Sequence, residues 1–304
     1  MTAPRAQHRV GWLDVAERGS ALGIWFMVSV CRTLGRAAAR VFIGPLVVYF
    51  MLFAPRARRA SRDYLRRLGR PHGLGAVAAH LRRFAHCTLD RFFWAVGDSS
   101  RFQVTCTGRE HLEALASSRR GALLMGAHLG SFEAMRGMAS KSRLPLNIVG
   151  YFKNARLINT VLERLNPSSV TRVISIEPGV DFVLKLKERI EAGELVALLA
   201  DRVGLGDRVV QSTFLGAPAP MPAGPFWLAA TLGCPVYLTF GLYHEPNRYD
   251  LYCEPFAERI ELPRGRREEG ARGYVQRFSE RLEHYCRLAP DNWFNFYDFW
   301  GTPA

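Results

Sequence analysis

Hydrophobic and polar positions change their period several times along this chain, and each change marks an element. Residues 21–31, Ala-Leu-Gly-Ile-Trp-Phe-Met-Val-Ser-Val-Cys, are almost wholly apolar, and a second run over 41–54 contains no charged side chain. Residues 74–96 place Leu81, Phe84, Leu89, Phe92 and Phe93 at helical spacing, which predicts an amphipathic helix packed by its apolar face. The period then shortens to two over 102–107, which reads as a strand. Gly108 turns the chain, and a helix follows from Glu110 with His111 as a surface or capping residue.

From there short apolar runs alternate with helical patterns. Strands are predicted at 121–127, 144–152, 170–176 and 195–200, with helices from about 132 and at 155–165 and 180–192. A helix at 226–232, strands at 235–242 and 249–253, and a long amphipathic helix over 267–288 complete the series. Such alternation predicts an α/β fold, a central mostly parallel or mixed sheet flanked by helices. Residues 1–70 read as an N-terminal helical membrane-associating segment and 71–304 as a single domain, with no repeat or low-complexity linker between them. The aromatic tail, Trp293 to Trp300, reads as core padding.

Charge changes the reading of the N-terminal part. The net charge is +14, and residues 1–70 hold thirteen arginines against three acids. Fourteen helical residues reach about 21 Å, short of the roughly 30 Å of bilayer hydrocarbon. One helix through both apolar runs would carry Arg32, Arg36 and Arg40 near mid-membrane, at roughly 2.5–3.5 kcal/mol each. An in-plane or re-entrant segment costs less, and Gly44-Pro45 offers a kink. Arginines from Arg56 to Arg70 follow at once, the pattern of an apolar wedge lying on an anionic leaflet. The alternative is a pair of buried core helices with a solvated basic face. Nucleic acid fits less well, because no groove-reading motif accompanies the charge. The six cysteines show neither a C-x-x-C pair nor zinc-ligand spacing, so no metal site, cofactor or disulfide framework is expected.

Candidate chemistry gathers in one stretch, Gly121-Ala-Leu-Leu-Met-Gly-Ala-His128-Leu-Gly130-Ser131-Phe-Glu133. Positions five apart on a continuous helix are rotated by roughly 140° and share no face. His128 and Glu133 can therefore meet only if the chain bends, and Gly130 with Ser131 as N-cap permits strand, turn and new helix. A histidine beside a carboxylate is a general base with an orienter. Backbone N–H groups of Gly130 and Ser131 are candidates for holding an oxyanion. Taken alone, the pair is as readily structural as catalytic. In open α/β sheets working residues collect beyond the carboxyl ends of strands, so Asp201 and Arg202, after the strand at 195–200, are placed in the same cleft.

These residues resemble a known family. Thr107-Gly-Arg-Glu-His-Leu-Glu-Ala-Leu, the His128-x4-Glu133 stretch, Leu199-Ala-Asp-Arg, Phe214-Leu-Gly-Ala-Pro-Ala and Trp293-Phe-Asn-Phe together look like the lipid A biosynthesis (lauroyl/myristoyl-type) acyltransferases, within the lysophospholipid acyltransferase superfamily. The resemblance covers roughly residues 10–300. It implies a glycerolipid acyltransferase-like fold and acyl transfer from a thioester, usually on acyl carrier protein, with coenzyme A as the other carrier. The acceptor would be a lipid or glycolipid hydroxyl at the cytoplasmic face of the bacterial inner membrane. His128 would be the general base, Glu133 its partner, and Arg164, with Arg156 as a rival, a substrate-binding arginine. Two departures bear on the acceptor: Asp201-Arg202 replaces a more acidic Asp-x-Asp pattern, and the basic tail of typical members is missing. In this the chain looks closer to the acyltransferases encoded with aryl-polyene-type pathways. A thioesterase or lipase would need a nucleophile, and no Gly-x-Ser-x-Gly elbow is present. A metallohydrolase lacks its His-Glu-x-x-His. A lipid-binding protein that kept the fold is the non-catalytic alternative.

Overall fold

The computed structural model describes residues 21–141, 145–150, 171–177, 179–204, 208–263 and 265–301. The helix expected at 155–165 and the outer ends of the strand expected at 144–152 lie outside them, as do Arg156 and Arg164.

The N-terminal apolar runs form α1 (Ala21–Thr33), α2 (Gly35–Val41) and α3 (Ile43–Phe53), followed by the basic helix α4 (Pro55–Arg67). α1 and α2 are separated at Leu34 by Gly35 in the left-handed region, φ 78°, so one straight helix does not run through both apolar segments. α2 and α3 are broken by a turn at Phe42. Pro45, inside α3, offers no N–H to the carbonyl four residues before it, which is the physical reason for a break at that point. Gly35–Phe53 is nonetheless, among the described residues, the one stretch long and apolar enough to cross a membrane, and little of it is buried.

Two of the three arginines between the runs turn inward, while Arg32 is exposed. Arg36 forms a two-pronged ion pair with the fully buried Asp90 of α5 (Leu74–Ala95), Nε to Oδ1 at 2.7 Å and a terminal nitrogen to Oδ2 at 2.9 Å. Arg40 donates to the Pro246 carbonyl at 3.1 Å. Ile43 and Val47, one turn apart on α3, are buried against α5 and belong to the main core with Tyr64, Leu65 and Leu68 from the end of α4.

The central sheet has seven strands in the order β1-β9-β8-β2-β5-β3-β4. These are β1 (Gln103–Thr107), β2 (Ala122–Gly126), β3 (Leu146–Gly150), β4 (Thr171–Ser175), β5 (Leu195–Leu199), β8 (Val236–His244) and β9 (Arg248–Ala257). All neighbours are parallel except β8 and β9. The sheet is thus mixed and mostly parallel, as the alternation of patterns predicts. β2 is buried at every position, as a central strand covered on both faces must be. Leu123 and Met125 join the core with Phe278 and Leu282 of α10 (Arg267–Leu288), while Ala122 and Leu124 pack with Leu115 of α6 (Arg109–Ser118) on the other side.

One feature departs from the expected loop before residue 226. Val209–Phe214 and Ala217–Pro222 form an antiparallel ribbon, β6 and β7, around a two-residue turn with Leu215 at φ 50° and Gly216 at φ 75°. The three prolines of β7 hide it, because they cannot donate to a ladder and read as loop. They fall on alternate residues, so the donors they lack are all missing from one side of the strand. Helix α9 (Gly224–Leu232) follows the ribbon, and α8 (Val180–Glu191) precedes β5.

Candidate active site

β2 ends at Gly126 and the chain folds back over 127–131. Gly130 has φ 68°, and a Cβ there would stand 1.8 Å from the Gly241 carbonyl oxygen, so this position accepts glycine alone without a shift of β8. Ser131 Oγ accepts from Ala134 N at 3.1 Å and caps α7 (Phe132–Lys141). Strand, turn and capped helix therefore follow one another as the sequence predicts. The turn is pinned on both sides. Gly130 N donates to Asn292 O at 2.8 Å, Phe294 N to His128 O at 2.7 Å, and Ser131 N to Gly241 O at 2.7 Å. The buried Asn292 amide accepts from Tyr243 N at 2.7 Å and donates to Tyr243 O at 3.1 Å, locking the tail segment to β8.

His128 Nδ1 lies 2.8 Å from Asp201 Oδ1, and His128 N donates to Asp201 Oδ2 at 3.0 Å. The imidazole is 30% exposed and the carboxylate 1%. This pairing is a product of register. In the parallel ladder Gly126 of β2 stands opposite Leu199 of β5, and His128 and Asp201 each lie two residues further on. Burial alone would raise the Asp201 carboxyl, but the His128 contact and the Arg202 charge reverse that and hold it at about 2. An ionised carboxylate can only accept, so Nδ1 carries the proton and Nε2 offers a lone pair. Burial, then the Arg202 charge, lower the His128 pKa, against the pull of Asp201. The ring is thus neutral at pH 7 and able to take a proton.

The structure exchanges the two carboxylates relative to the expectation from spacing. Asp201, expected from its strand end only to share the cleft, is the partner of His128, while Glu133 forms an ion pair with Arg91 of α5 at 2.5 Å. Among the described residues nothing joins Glu133 to His128. The reason is the bend itself: Glu133 sits in the first turn of α7, which packs on α5. Arg136, one turn later, is a second guanidinium in the field of Glu133. The oxyanion reading of the Gly130 and Ser131 amides also needs correction, since both already donate to backbone carbonyls. Arg202 donates to Phe294 O at 2.9 Å, and its guanidinium lies 5.7 Å from the Tyr297 ring centre. Burial lowers the Arg202 pKa and Asp201 opposes the shift.

Sequence reasoning missed Arg91, Asn292 and the polar side of Trp293, whose Nε1 donates to Asp201 Oδ2 at 2.9 Å. The equal offsets of His128 and Asp201 from their strands were a signal within reach, given adjacent parallel strands; the tail contacts had none.

A comparison with curated proteins gives no match. The model of one family, described as bacterial lipid A biosynthesis acyltransferase, matches residues 88–302. That span includes the sheet, the histidine turn, Asp201 and the aromatic tail, and leaves α1 to α4 outside. The chain belongs to the lipid A biosynthesis acyltransferase family.

Proposed function

We propose that this chain is a membrane-associated O-acyltransferase, moving a fatty acyl group from an acyl thioester to a hydroxyl of a lipid or glycolipid. The donor is acyl carrier protein or coenzyme A, and the site is the cytoplasmic face of the bacterial inner membrane. The observation that carries this is the His128–Asp201 pair at the ends of adjacent strands, in a chain of an acyltransferase family. Nε2 of His128 takes the proton of the acceptor hydroxyl as its oxygen attacks the thioester carbonyl. Asp201 holds Nδ1–H and offsets the imidazolium charge. The tetrahedral intermediate collapses with loss of the thiolate, which receives the proton from Nε2. An ester forms, a thioester breaks, and the base returns to its starting state. Glu133, in the first turn of the helix that follows the histidine turn, holds Arg91 and lies in the field of Arg136, and two guanidiniums against one carboxylate favour an anionic substrate group. Arg202 adds positive charge in the field of His128.

The test is direct. The purified protein, in mixed micelles with radiolabelled acyl carrier protein or acyl coenzyme A, receives a lipid A precursor or an aryl-polyene lipid as acceptor. Label entering the lipid supports the reading. Release as free fatty acid alone assigns a hydrolase, and no turnover with retained lipid binding assigns a lipid-binding protein.

Residues 1–70 form the membrane-facing part of this proposal and 71–304 the acyltransferase domain. Leu46, Val48, Leu52 and Phe53 on α3 and Leu22 and Phe26 on α1 are exposed. Arg56, Arg59, Arg62, Arg66 and Arg70 line the neighbouring helix and its end, and are exposed too. Each such side chain removed from water contributes about 1.5–3 kcal/mol if apolar and about 1 kcal/mol if basic beside anionic lipid. Because Arg36 and Arg40 bond to the protein body, the helices lie along it and an in-plane orientation leaves Arg32 alone of the three to reach the headgroup level. Leu52→Asp with Phe53→Asp should therefore lower partition onto vesicles containing phosphatidylglycerol at least about tenfold, measured by flotation, with an unchanged melting temperature. Unaltered flotation would remove α3 from the docking surface.

A further inference from the structure

Trp293 lies in the tail that the sequence presents as padding, and its ring is indeed packed. It is fully buried, with ring centres at 5.1 Å from Tyr64, 5.2 Å from Phe214, 5.0 Å from Phe299 and 5.8 Å from Trp300. Packing alone does not account for its polar atoms. Its indole N–H is directed at Asp201 Oδ2, 2.9 Å away. Its carbonyl accepts from His80 Nε2 at 3.0 Å, and Leu129, next to His128, bridges to it through the backbone. His80 is itself fixed: it is fully buried, its Nδ1 lies 2.9 Å from Ser61 Oγ, and burial lowers its pKa to about 4. A neutral ring facing a carbonyl through Nε2 must carry its proton there, so Ser61 donates to Nδ1. Main chain and side chain of Trp293 are therefore both held in place.

We propose that Trp293 is a positioning residue for the proton-transfer centre: its indole N–H fixes Asp201 Oδ2 so that Oδ1 stays aligned with His128 Nδ1. This deepens the general-base reading above and rests on it. The carboxylate has three donor contacts in a buried site. Oδ1 takes the imidazole, and Oδ2 takes His128 N and Trp293 Nε1. Two of these come from one residue, so rotation about the Asp201 side chain is opposed chiefly by the third, which approaches from another element. Removing a donor also leaves the carboxylate more basic and its hold on an imidazolium stronger. The acid limb of the rate profile should then move to higher pH.

The experiment compares wild-type protein with Trp293→Phe and Trp300→Phe, all assayed for acyl transfer in micelles over pH 5 to 9. Trp300 is the control for loss of an indole from the same aromatic cluster, because its N–H has no partner in the protein among the described residues. Trp293→Phe should lose about tenfold in kcat with KM unchanged and should shift the acid limb upward. Trp300→Phe should do neither. In an Asp201→Asn background, Trp293→Phe should add nothing. Equal behaviour of the two tryptophan variants, or full additivity with Asp201→Asn, would overturn the assignment. Should Trp293→Phe fail to fold, the indole 15N–1H spectrum of the intact protein decides. One exchange-protected indole resonance must shift on Asp201→Asn, and a spectrum without such a response would overturn it. If His128→Ala itself retained wild-type transfer, the general-base reading would fall first; an inactive His128→Ala with a wild-type Trp293→Phe would remove only the present assignment.

Discussion

His128→Ala should lower kcat for acyl transfer by about 10²–10⁴, the usual range for loss of a general base. Vesicle binding should be retained, since no part of α1 to α4 touches the imidazole in the contacts described. Folding should survive as well. Asp201 keeps two of its donors, the backbone N–H of residue 128 and Trp293 Nε1, so the loss is one charge-assisted hydrogen bond of about 1.5–3 kcal/mol. The wild-type profile supplies a companion measurement. Only neutral imidazole accepts a proton, so the rate is lost as pH falls through the His128 pKa. Burial and Arg202 lower that pKa, and the acid limb should lie below the ordinary histidine value of about 6.5. Near-wild-type turnover by the alanine variant would end the mechanism.

Asp201→Asn is expected to cost a similar factor, about 10²–10⁴. An amide can present its NH2 to Nδ1, which favours the tautomer protonated on Nε2 and leaves no lone pair for the substrate. It also removes the charge that supports the imidazolium. The acid limb should therefore move further down, opposite to the shift expected for Trp293→Phe. Glu133→Gln is the informative companion. It leaves the His128–Asp201 contact intact and removes the carboxylate between two guanidiniums. Its main effect should be a loss of stability, roughly 1–3 kcal/mol, with less than a tenfold change in kcat on the plateau. An active Asp201→Asn beside an inactive, stable Glu133→Gln would restore the pairing that the family resemblance implies.

The α/β plan was legible because the central strands are apolar at successive positions while the helices repeat at 3.6. The same reasoning placed Ser131 as a cap and His128 at a strand end. What it missed depends on contacts across long separations. Glu133 is five residues from His128 and Asp201 is seventy-three, yet adjacency in a sheet outweighs adjacency in sequence. Asn292 and Trp293 lie further still along the chain, in a segment whose aromatic content advertises only burial. At the N-terminus the sequence pattern presents the arginine stripe only as a cost in hydrocarbon. Asp90, buried in another helix, answers Arg36, and nothing in the pattern of either segment announces the pair. The proline-marked ribbon failed for a different reason, since local propensity there contradicts the structure formed.

The equal offset of His128 and Asp201 from paired strand residues has a consequence for how such a site can change over time. Their separation derives from the spacing of adjacent strands, about 4.8 Å, a length the backbone ladder sets and side-chain repacking does not alter. Acceptor-facing helices and loops can therefore be remodelled without detuning the proton relay. A single-residue insertion at either strand end, by contrast, would turn one partner to the opposite face of the sheet. The reactive pair tolerates drift in its surroundings and is intolerant of a change in count.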